Sequence, residues 1–374
     1  MSGARHLLTR QWVAIAGGSC DVRMGLGALG QAEPMLKGAV GRPRLCMAVV
    51  SRSVEPSHCD ELSRQLAASG FTVFWHEVDE ERACTLGEAS RLAENLCAHG
   101  LTSDDLCCAF GGSGVLSLAS YVCGSWCEGM SLVGIPSNAG AFLEGALCPR
   151  GIDVANERCM LMVRPAVSHV LLDYDLVCTG RQAEASTYAR TLMVAAAMCS
   201  SERDFSTLWD GVDELMGDDD EEFVRRLLDA AKSRGRIASS TAAAIRQSLC
   251  YGQDFAYALG SLTRGALTPS TLLAEGMRFS ARLAVGQGKL SLDDMLAQDE
   301  LLEAIGAGSA TCDVDPLALK DAIRHERFVR TNRFMLLLPL GLGRVRFSTV
   351  EEELLLEHAR AWCAAHAQDE GGNE

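Results

Sequence analysis

The pattern of apolar runs changes near residue 176, and this change constrains the fold most. Before that point, short apolar runs typical of buried strands alternate with segments of helical spacing, as in 44–50 followed by 58–68. Beyond it, almost every segment has helical periodicity, beginning with 187–199. Alternating strands and helices predict a parallel sheet covered by helices on both faces. We therefore expect an α/β domain over 1–176 and an all-α domain over 177–374.

The remaining predicted elements follow the same division. In the first part we expect strands over 71–78, 106–112 and 132–135 and helices over 86–99 and 115–123. In the second part we expect helices over 187–199, 221–233, 241–247, 254–262, 269–285, 292–305, 316–325 and 351–366. The late run 333–340 is too short and too rich in β-compatible residues for a helix.

Charge and hydropathy exclude two classes of partner. The chain has 34 Lys and Arg against 49 Asp and Glu, a net charge of −15, and no long basic block to neutralise a phosphate backbone. We expect no nucleic-acid partner. The apolar run 334–342 is interrupted by Pro339 and is far shorter than the ~20 residues that cross a bilayer. We expect no membrane segment, and because the first residues carry no secretory-signal pattern we expect a cytoplasmic protein.

The chain has 16 cysteines, an unusual number for such a protein. No Cys-x-x-Cys occurs, and the cysteines nearest in sequence are the adjacent pair Cys107 and Cys108 and the pair Cys123 and Cys127. This spacing is not typical of a zinc site, and the chain is not a small disulfide-rich domain. We interpret the cysteines as reduced, mostly buried thiols that act as small hydrophobic side chains.

A glycine-rich turn, 109–115, lies between a predicted strand and a predicted helix. Glycines at this place let backbone amides approach a phosphate at the helix N-terminus. The turn lacks the full G-x-G-x-x-G fingerprint, and such turns are structural about as often as they bind a ligand. On its own it leaves both interpretations open.

Three segments around this turn resemble the 3-dehydroquinate synthase family. Segments 111–122, 133–141 and 170–176 match the family's GGGVxGDLAGFVA, VPTTLLA and VLIDTDLL motifs in the same order. In the helical half, Lys232, Arg246 and 249–253 fall on the family's K…R…LNFGH pattern, and 333–338 resembles its late RFVLL strand. Most individual motifs are eroded, but together they extend over most of the chain.

The resemblance implies a fold and a reaction. Family members have an N-terminal nucleotide-binding α/β domain and a C-terminal helical metal domain, and they are usually homodimers. With bound NAD and a divalent metal, typically zinc or cobalt, they convert 3-deoxy-D-arabino-heptulosonate 7-phosphate into 3-dehydroquinate in the shikimate pathway of aromatic amino acid biosynthesis. A transient oxidation by NAD acidifies a C–H bond, phosphate is eliminated, the hydride returns and an aldol step closes the ring. The metal polarises the hydroxyl and the ketone, and cations hold the phosphate and carboxylate.

The resemblance also implies the site residues, position by position. For NAD these are Glu81, Gly111, Gly112, Ser113, Ser137, Asn138, Thr179 and Glu184. For the substrate's anionic groups they are the four cations Arg150, Arg158, Lys232 and Arg246.

Other family positions hold unsuitable residues. The acidic residue after the first strand is Ser51, a site lysine is Cys84, the aspartate after the glycine turn is Ser117, and the asparagine of LNFGH is Cys250. The three metal-ligand positions hold Arg190 or Thr191 in place of glutamate, and Gln253 and Pro269 in place of histidines. Proline has no side-chain donor, arginine is a fixed cation and glutamine is a poor zinc ligand.

These departures leave three hypotheses. The chain is a degenerate, metal-free homologue that still binds an anionic small molecule or NAD. Alternatively, it is a divergent but active 3-dehydroquinate synthase or a related sugar-phosphate enzyme. In the third hypothesis it is a non-catalytic partner subunit of a paralogous enzyme. Loss of all three ligand positions favours the first, because the reaction depends on the metal's Lewis acidity.

Overall fold

The computed structural model describes residues 8–367, and the chain divides into two units. The first unit comprises Met1–Arg181 and Leu227–Ser239, and the second comprises Gln182–Arg226 and Ser240–Glu374. One long helix therefore contributes residues to both units. No helix in the described part of the chain is long and apolar enough to cross a membrane.

A seven-stranded sheet forms the centre of the first unit. Its strands are β1 Thr9–Ile15, β2 Gly18–Gly25, β3 Leu45–Ser51, β4 Thr72–Val78, β5 Leu106–Gly111, β6 Ser131–Pro136 and β9 Val167–Asp173, in the spatial order β1-β2-β9-β6-β5-β3-β4. All neighbouring pairs are parallel except β1 and β2, which form an antiparallel hairpin at one edge. A separate antiparallel pair is formed by β7 Ile152–Val154 and β8 Glu157–Leu161.

Helices cover both faces of this sheet. They are α1 Glu33–Gly38, α2 Pro56–Ala68, α3 Glu80–Ala83, α4 Leu86–Ala98, α5 Ser113–Ser125 and α6 Tyr174–Val177. On one face, Cys108 of β5 belongs to a core cluster with Leu36 of α1 and Leu62 of α2. The preceding residue, Cys107, points to the other face of the sheet, where its thiol interacts with Cys123 of α5. The expected parallel sheet between two layers of helices is confirmed.

The second unit is mainly helical. Its helices are α7 Glu184–Ser200, α8 Glu202–Asp210, α9 Val212–Met216, α11 Ala243–Arg246, α12 Gln253–Thr263, α13 Pro269–Gly286, α14 Leu292–Ala304, α15 Pro316–Phe328 and α16 Glu352–His366, while α10 Asp220–Ala238 continues into the first unit. Phe255, Phe279 and Trp362 lie in its apolar core, where the Phe255 ring contacts each of the other two. The unit also contains the antiparallel pair β10 Met335–Pro339 and β11 Val345–Thr349.

The structure differs from the expected elements in three places. The helix expected over 241–247 is only the four-residue α11, because the chain continues as a 3-10 turn over Gln247–Cys250. The hairpin β1–β2 was not expected, although Cys20, Val22 and Met24 alternate with Asp21 and Arg23 as in a half-buried strand. Strand β11 was also missed; it forms a β-hairpin with β10, and the C-terminal region is otherwise helical as expected.

Candidate functional site

Four neighbouring strands of the sheet end at the same edge, where the predicted nucleotide site lies. They are β3, β4, β5 and β6, which are parallel and adjacent, so the residues after their carboxyl ends meet. The Ser137 amide donates to the Gly111 carbonyl over 2.9 Å. Asn138 follows, and its Oδ1 accepts from the Ala141 amide at 2.9 Å. The structure thus brings together Gly111, Gly112, Ser113, Ser137 and Asn138.

The glycine turn carries a carboxylate that the sequence analysis did not single out. Glu80 is the first residue of α3, just after β4, and its Oε1 accepts a hydrogen bond from the Gly112 amide over 2.5 Å. Its Oε2 accepts from the Val115 amide over 3.4 Å. Because α5 begins at Ser113, these amides belong to the first turn of that helix. The signal that could have found Glu80 is an acidic residue directly after a strand whose end lies at this edge.

The other predicted nucleotide residues are Glu81, Thr179 and Glu184. Glu81, the residue that resembles the family's conserved glutamate, is exposed, whereas its neighbour Glu80 reaches the glycines. The Thr179 hydroxyl donates to the Asp175 carbonyl. Glu184 lies in the second unit, where its carboxylate accepts from both the amide and the hydroxyl of Ser270 at 2.7 Å. Thr179 therefore bonds within its own turn, and Glu184 holds the first turn of α13.

Ser51 stands where the family has an acidic residue after the first strand. It is 2 % exposed, and its hydroxyl lies 2.8 Å from the hydroxyl of Ser53. A Cβ added to Gly111 would lie 2.9 Å from the Ser51 Cβ, so the two strand ends are tightly packed. Ser51 offers a single neutral hydroxyl in place of a carboxylate with two charged acceptor oxygens for the ribose hydroxyls.

Arg150 has contacts within its own loop region. Its guanidinium forms an ion pair with Asp153, and its amide donates to the Ser117 hydroxyl over 3.1 Å. Ser117 stands at the position of the family's aspartate, so in this chain a hydroxyl, not a carboxylate, accepts the hydrogen bond from the Arg150 amide. The nearby Cys84 thiol is buried, and burial raises its pKa to about 12, so it cannot supply the charge of the lysine that the family has there.

The other three predicted cations have different surroundings. Lys232 is exposed, with its ammonium 3.6 Å from the Asp229 carboxylate. Arg246 donates through Nη1 to the carbonyls of Ser240 at 2.7 Å and Thr241 at 2.9 Å. Arg158 is exposed on β8.

Among the metal-ligand positions, the first lies on α7 and is arginine or threonine. Arg190 is 2 % exposed; its Nε donates to the Ile305 carbonyl at 3.1 Å and its Nη2 to the Thr187 hydroxyl at 3.0 Å. The Thr191 hydroxyl donates to the Thr187 carbonyl at 2.9 Å. A buried guanidinium at this place repels a divalent cation.

The two histidine positions are the first residues of helices. Gln253 begins α12 and is half-buried, and Pro269 begins α13 and is exposed. Proline at the first helical position is favourable, and Thr268 caps this helix by accepting from the Thr271 amide at 3.3 Å. Across residues 8–367, no group of three or more His, Cys, Asp and Glu side chains is arranged to hold a metal. The residues present do not fit zinc or cobalt.

Known relatives agree with the motif resemblance. A 3-dehydroquinate synthase from Saccharopolyspora erythraea is 25% identical over 364 residues, covering 94% of this chain and 95% of its own length. One from Synechococcus sp. is 24% identical over 349 residues, covering 88% and 91%. No protein-family model matches the sequence. The resemblance to 3-dehydroquinate synthases is confirmed over most of the chain.

Solved structures share the fold. A 2-deoxy-scyllo-inosose synthase complexed with carbaglucose-6-phosphate, NAD+ and Co2+ superposes with a TM-score of 0.82 at 16% identity, covering 94% of this chain and 99% of its own. ValA, a 2-epi-5-epi-valiolone synthase from Streptomyces hygroscopicus with NAD+ and Zn2+ bound, gives 0.78 at 15% identity, covering 95% and 99%. The chain has the two-domain fold of synthases of this kind.

Proposed function

We propose that the chain is a metal-free, non-catalytic relative of the 3-dehydroquinate synthases, with their fold but without their reaction. The proposal rests on the side chains that occupy the three metal-ligand positions. One offers a buried guanidinium or a hydroxyl that bonds within its own helix, one a glutamine, and one a helix-starting proline. None of these donors suits zinc or cobalt.

The buried Arg190 argues against a metal more strongly than a missing ligand would. Its side chain is hydrogen-bonded to Ile305 and Thr187. A guanidinium stays protonated at any working pH, so its charge persists. A divalent cation at this place would meet a fixed positive charge with little water to screen it.

Loss of the metal removes the step on which the family's reaction depends. A metal ion contributes several kcal/mol of charge stabilisation to the polarised hydroxyl and ketone. Each ~1.36 kcal/mol lost from the barrier slows the rate tenfold. No other cluster of ligands in the described part of the chain supports a relocated metal.

The cations at the substrate positions support the same conclusion. Arg150 pairs with Asp153, and Arg246, the last residue of α11, donates to two carbonyls of the loop before that helix. Donors used in this way are less available to a phosphate or carboxylate. Of these positions, Lys232 offers an exposed ammonium with a loose partner, Asp229 at 3.6 Å.

The experiment combines metal analysis with a turnover assay on the full chain. After purification and dialysis against zinc or cobalt, elemental analysis is expected to find well below one metal ion per chain. With NAD, the same metal and 3-deoxy-D-arabino-heptulosonate 7-phosphate, no phosphate release above background is expected. An active 3-dehydroquinate synthase assayed in parallel establishes that the reagents work.

Stoichiometric zinc or cobalt together with phosphate release would refute the proposal and favour a divergent active enzyme. Turnover without metal would also refute it, and would point to a related sugar-phosphate enzyme that uses different chemistry. The variant Gln253→His tests whether restoring one histidine ligand is enough for metal binding. Restoring one imidazole is expected to give no metal binding while Arg190 stays in place.

A further inference from the structure

The first turn of α5 is already occupied by an anion that belongs to the chain. The two oxygens of Glu80 accept from the Gly112 amide at 2.5 Å and the Val115 amide at 3.4 Å. These are two of the four amides that a helix leaves without partners at its N-terminus. The same amides make such a turn attractive to a phosphate.

Three glycines of the turn are packed against Glu80, so its carboxylate occupies the space that an anion bound by the Gly112 and Val115 amides would need. A Cβ added to Gly111 would lie 3.0 Å from Oε1, and one added to Gly112 would lie 2.8 Å from the same oxygen. At Gly114 a Cβ would lie 3.0 Å from both the backbone oxygen and Oε2 of Glu80. The glycines that usually admit a phosphate admit this side chain instead.

The segment that carries Glu80 is fixed to the helix at further points. An added Cβ at Gly114 would lie 3.1 Å from the Ala83 Cβ, and the Cys84 thiol lies 3.7 Å from the Gly114 carbonyl. Ala83 is buried, and Cys84 is 4 % exposed. A phosphate could reach the amides only by moving the carboxylate out of this packed segment, since two adjacent anions repel each other.

We infer that Glu80 is a built-in anion that takes the place of a nucleotide's pyrophosphate, and that the chain does not bind NAD at this turn. The resemblance to NAD-dependent synthases implies a pyrophosphate contact at Gly111, Gly112 and Ser113, and the residues present do not fit one. Ser51 supports the same inference, because it offers no carboxylate to the hydroxyls of a ribose. This inference goes beyond the loss of the metal, which involves other residues.

The test is a calorimetric titration of the full chain with inorganic pyrophosphate and with NAD. Glu80→Gly removes both the charge and the bulk, Glu80→Gln removes the charge and keeps the shape, and Glu81→Gln makes the same charge change at the exposed neighbour. The wild type and Glu81→Gln are expected to show no saturable binding of either probe up to about 1 mM. Glu80→Gly is expected to bind pyrophosphate at least about tenfold more tightly, and Glu80→Gln to gain less because the amide still fills the space.

Two outcomes would overturn the inference. One is saturable NAD binding by the wild type with a Kd below about 1 mM. The other is pyrophosphate binding that is no better in either Glu80 variant than in the wild type. Circular dichroism checks that each variant is folded at the titration temperature, and Glu80→Gln decides the matter if Glu80→Gly unfolds. The titration does not depend on metal content. Failure of the inference about Glu80 can therefore be told apart from failure of the proposed function, which is tested by metal content and phosphate release.

Discussion

Glu275 is a buried charge in the second unit that is fully supplied with partners. It is 0 % exposed and accepts from Trp362 Nε1 at 2.8 Å, from Arg278 Nη1 at 2.9 Å and from the Ala310 amide at 3.4 Å, while His366 Nε2 lies 3.3 Å away. Burial raises the pKa of its carboxyl, but the hydrogen bonds of His366 and Trp362 and the Arg278 charge outweigh burial and lower the pKa to about 2. The bond to Glu275 in turn raises the pKa of His366, against the effect of burial.

We expect Glu275→Gln to lower the free energy of unfolding by about 3 kcal/mol at neutral pH, because it leaves buried cationic partners without their counter-charge. The raised pKa of His366 adds a pH dependence. Its contribution is complete below the ordinary pKa of 6.5 and is lost as the pH rises through the raised value in the folded state. Urea denaturation at about pH 6 and about pH 9 measures both effects.

In the variant, the part of the pH dependence that comes from the Glu275 and His366 pair should disappear. His76 and His169 also titrate, but their pKa values are lowered by burial and they are present in both proteins. Glu303→Gln, at an exposed position, is the matched control and should change stability by less than about 0.5 kcal/mol. Equal stability of Glu275→Gln and the wild type would contradict the argument.

The residues of the glycine turn were predictable from the sequence, but the residue that fills the turn was not. Motif spacing located Gly111, Gly112 and Ser113 because they are consecutive in one strand-to-helix connection. Glu80 lies 32 residues earlier than Gly112, and only the pairing of β3 with both β4 and β5 brings it to the same edge. A motif carried over by resemblance favoured Glu81, one residue away.

At the scale of elements, helices α12 and α13 approach so closely that backbone meets backbone. A Cβ added to Gly276, in the middle of α13, would lie 2.0 Å from the Gly252 carbonyl oxygen. Gly252 itself has φ +81°, a left-handed conformation just before α12 begins. Tyr251 adds a hydrogen bond from its hydroxyl to the Met277 carbonyl at 3.2 Å. This crossing requires glycine at both positions.

We expect Gly276→Ala to lower the free energy of unfolding by about 3 kcal/mol, because the added methyl group must push two helices apart. Guanidinium denaturation followed by circular dichroism is the measurement. The control is Gly87→Ala in α4, where an added Cβ meets nothing within 4 Å. There the same change should stabilise by about 0.5 kcal/mol through helix propensity. An unchanged free energy of unfolding in Gly276→Ala would mean that α12 and α13 can move apart at little cost.

Elements with a strong local signal such as a helix cap were predictable, whereas two short β-hairpins were missed. Helix α14 matches the helix expected over 292–305, and its start has a local signal, since the Ser291 hydroxyl accepts from the Asp294 amide at 3.0 Å. In the hairpin β1–β2, the buried apolar residues Cys20, Val22 and Met24 alternate with Asp21 and Arg23, a pattern typical of a half-buried strand that was overlooked in this short segment. Strand β11 has a short, mixed sequence whose pairing with β10 decides its conformation.

At the scale of the whole molecule, the cysteines serve packing. All 16 lie within the described residues, and none forms a disulfide. Nine are buried: Cys20, Cys46, Cys84, Cys107, Cys108, Cys123, Cys178, Cys199 and Cys363. Burial raises the pKa of the thiols at Cys84 and Cys363, to about 12 and about 11. Such thiols are protonated and shielded at neutral pH, so they are poor nucleophiles and poor metal ligands.

The reactivity of the thiols therefore depends on the folded state. With a thiol-reactive chromogenic disulfide at neutral pH, we expect the native protein to react rapidly at the three exposed positions, Cys97, Cys127 and Cys250. In denaturant without reductant, all 16 should react. A variant with serine at the three exposed positions should lose the rapid phase while keeping the slow one. Fewer than 16 reactive thiols in denaturant would reveal disulfides and contradict this interpretation. Rapid reaction of the nine buried cysteines in the native protein would mean that the sheet and helix cores open easily.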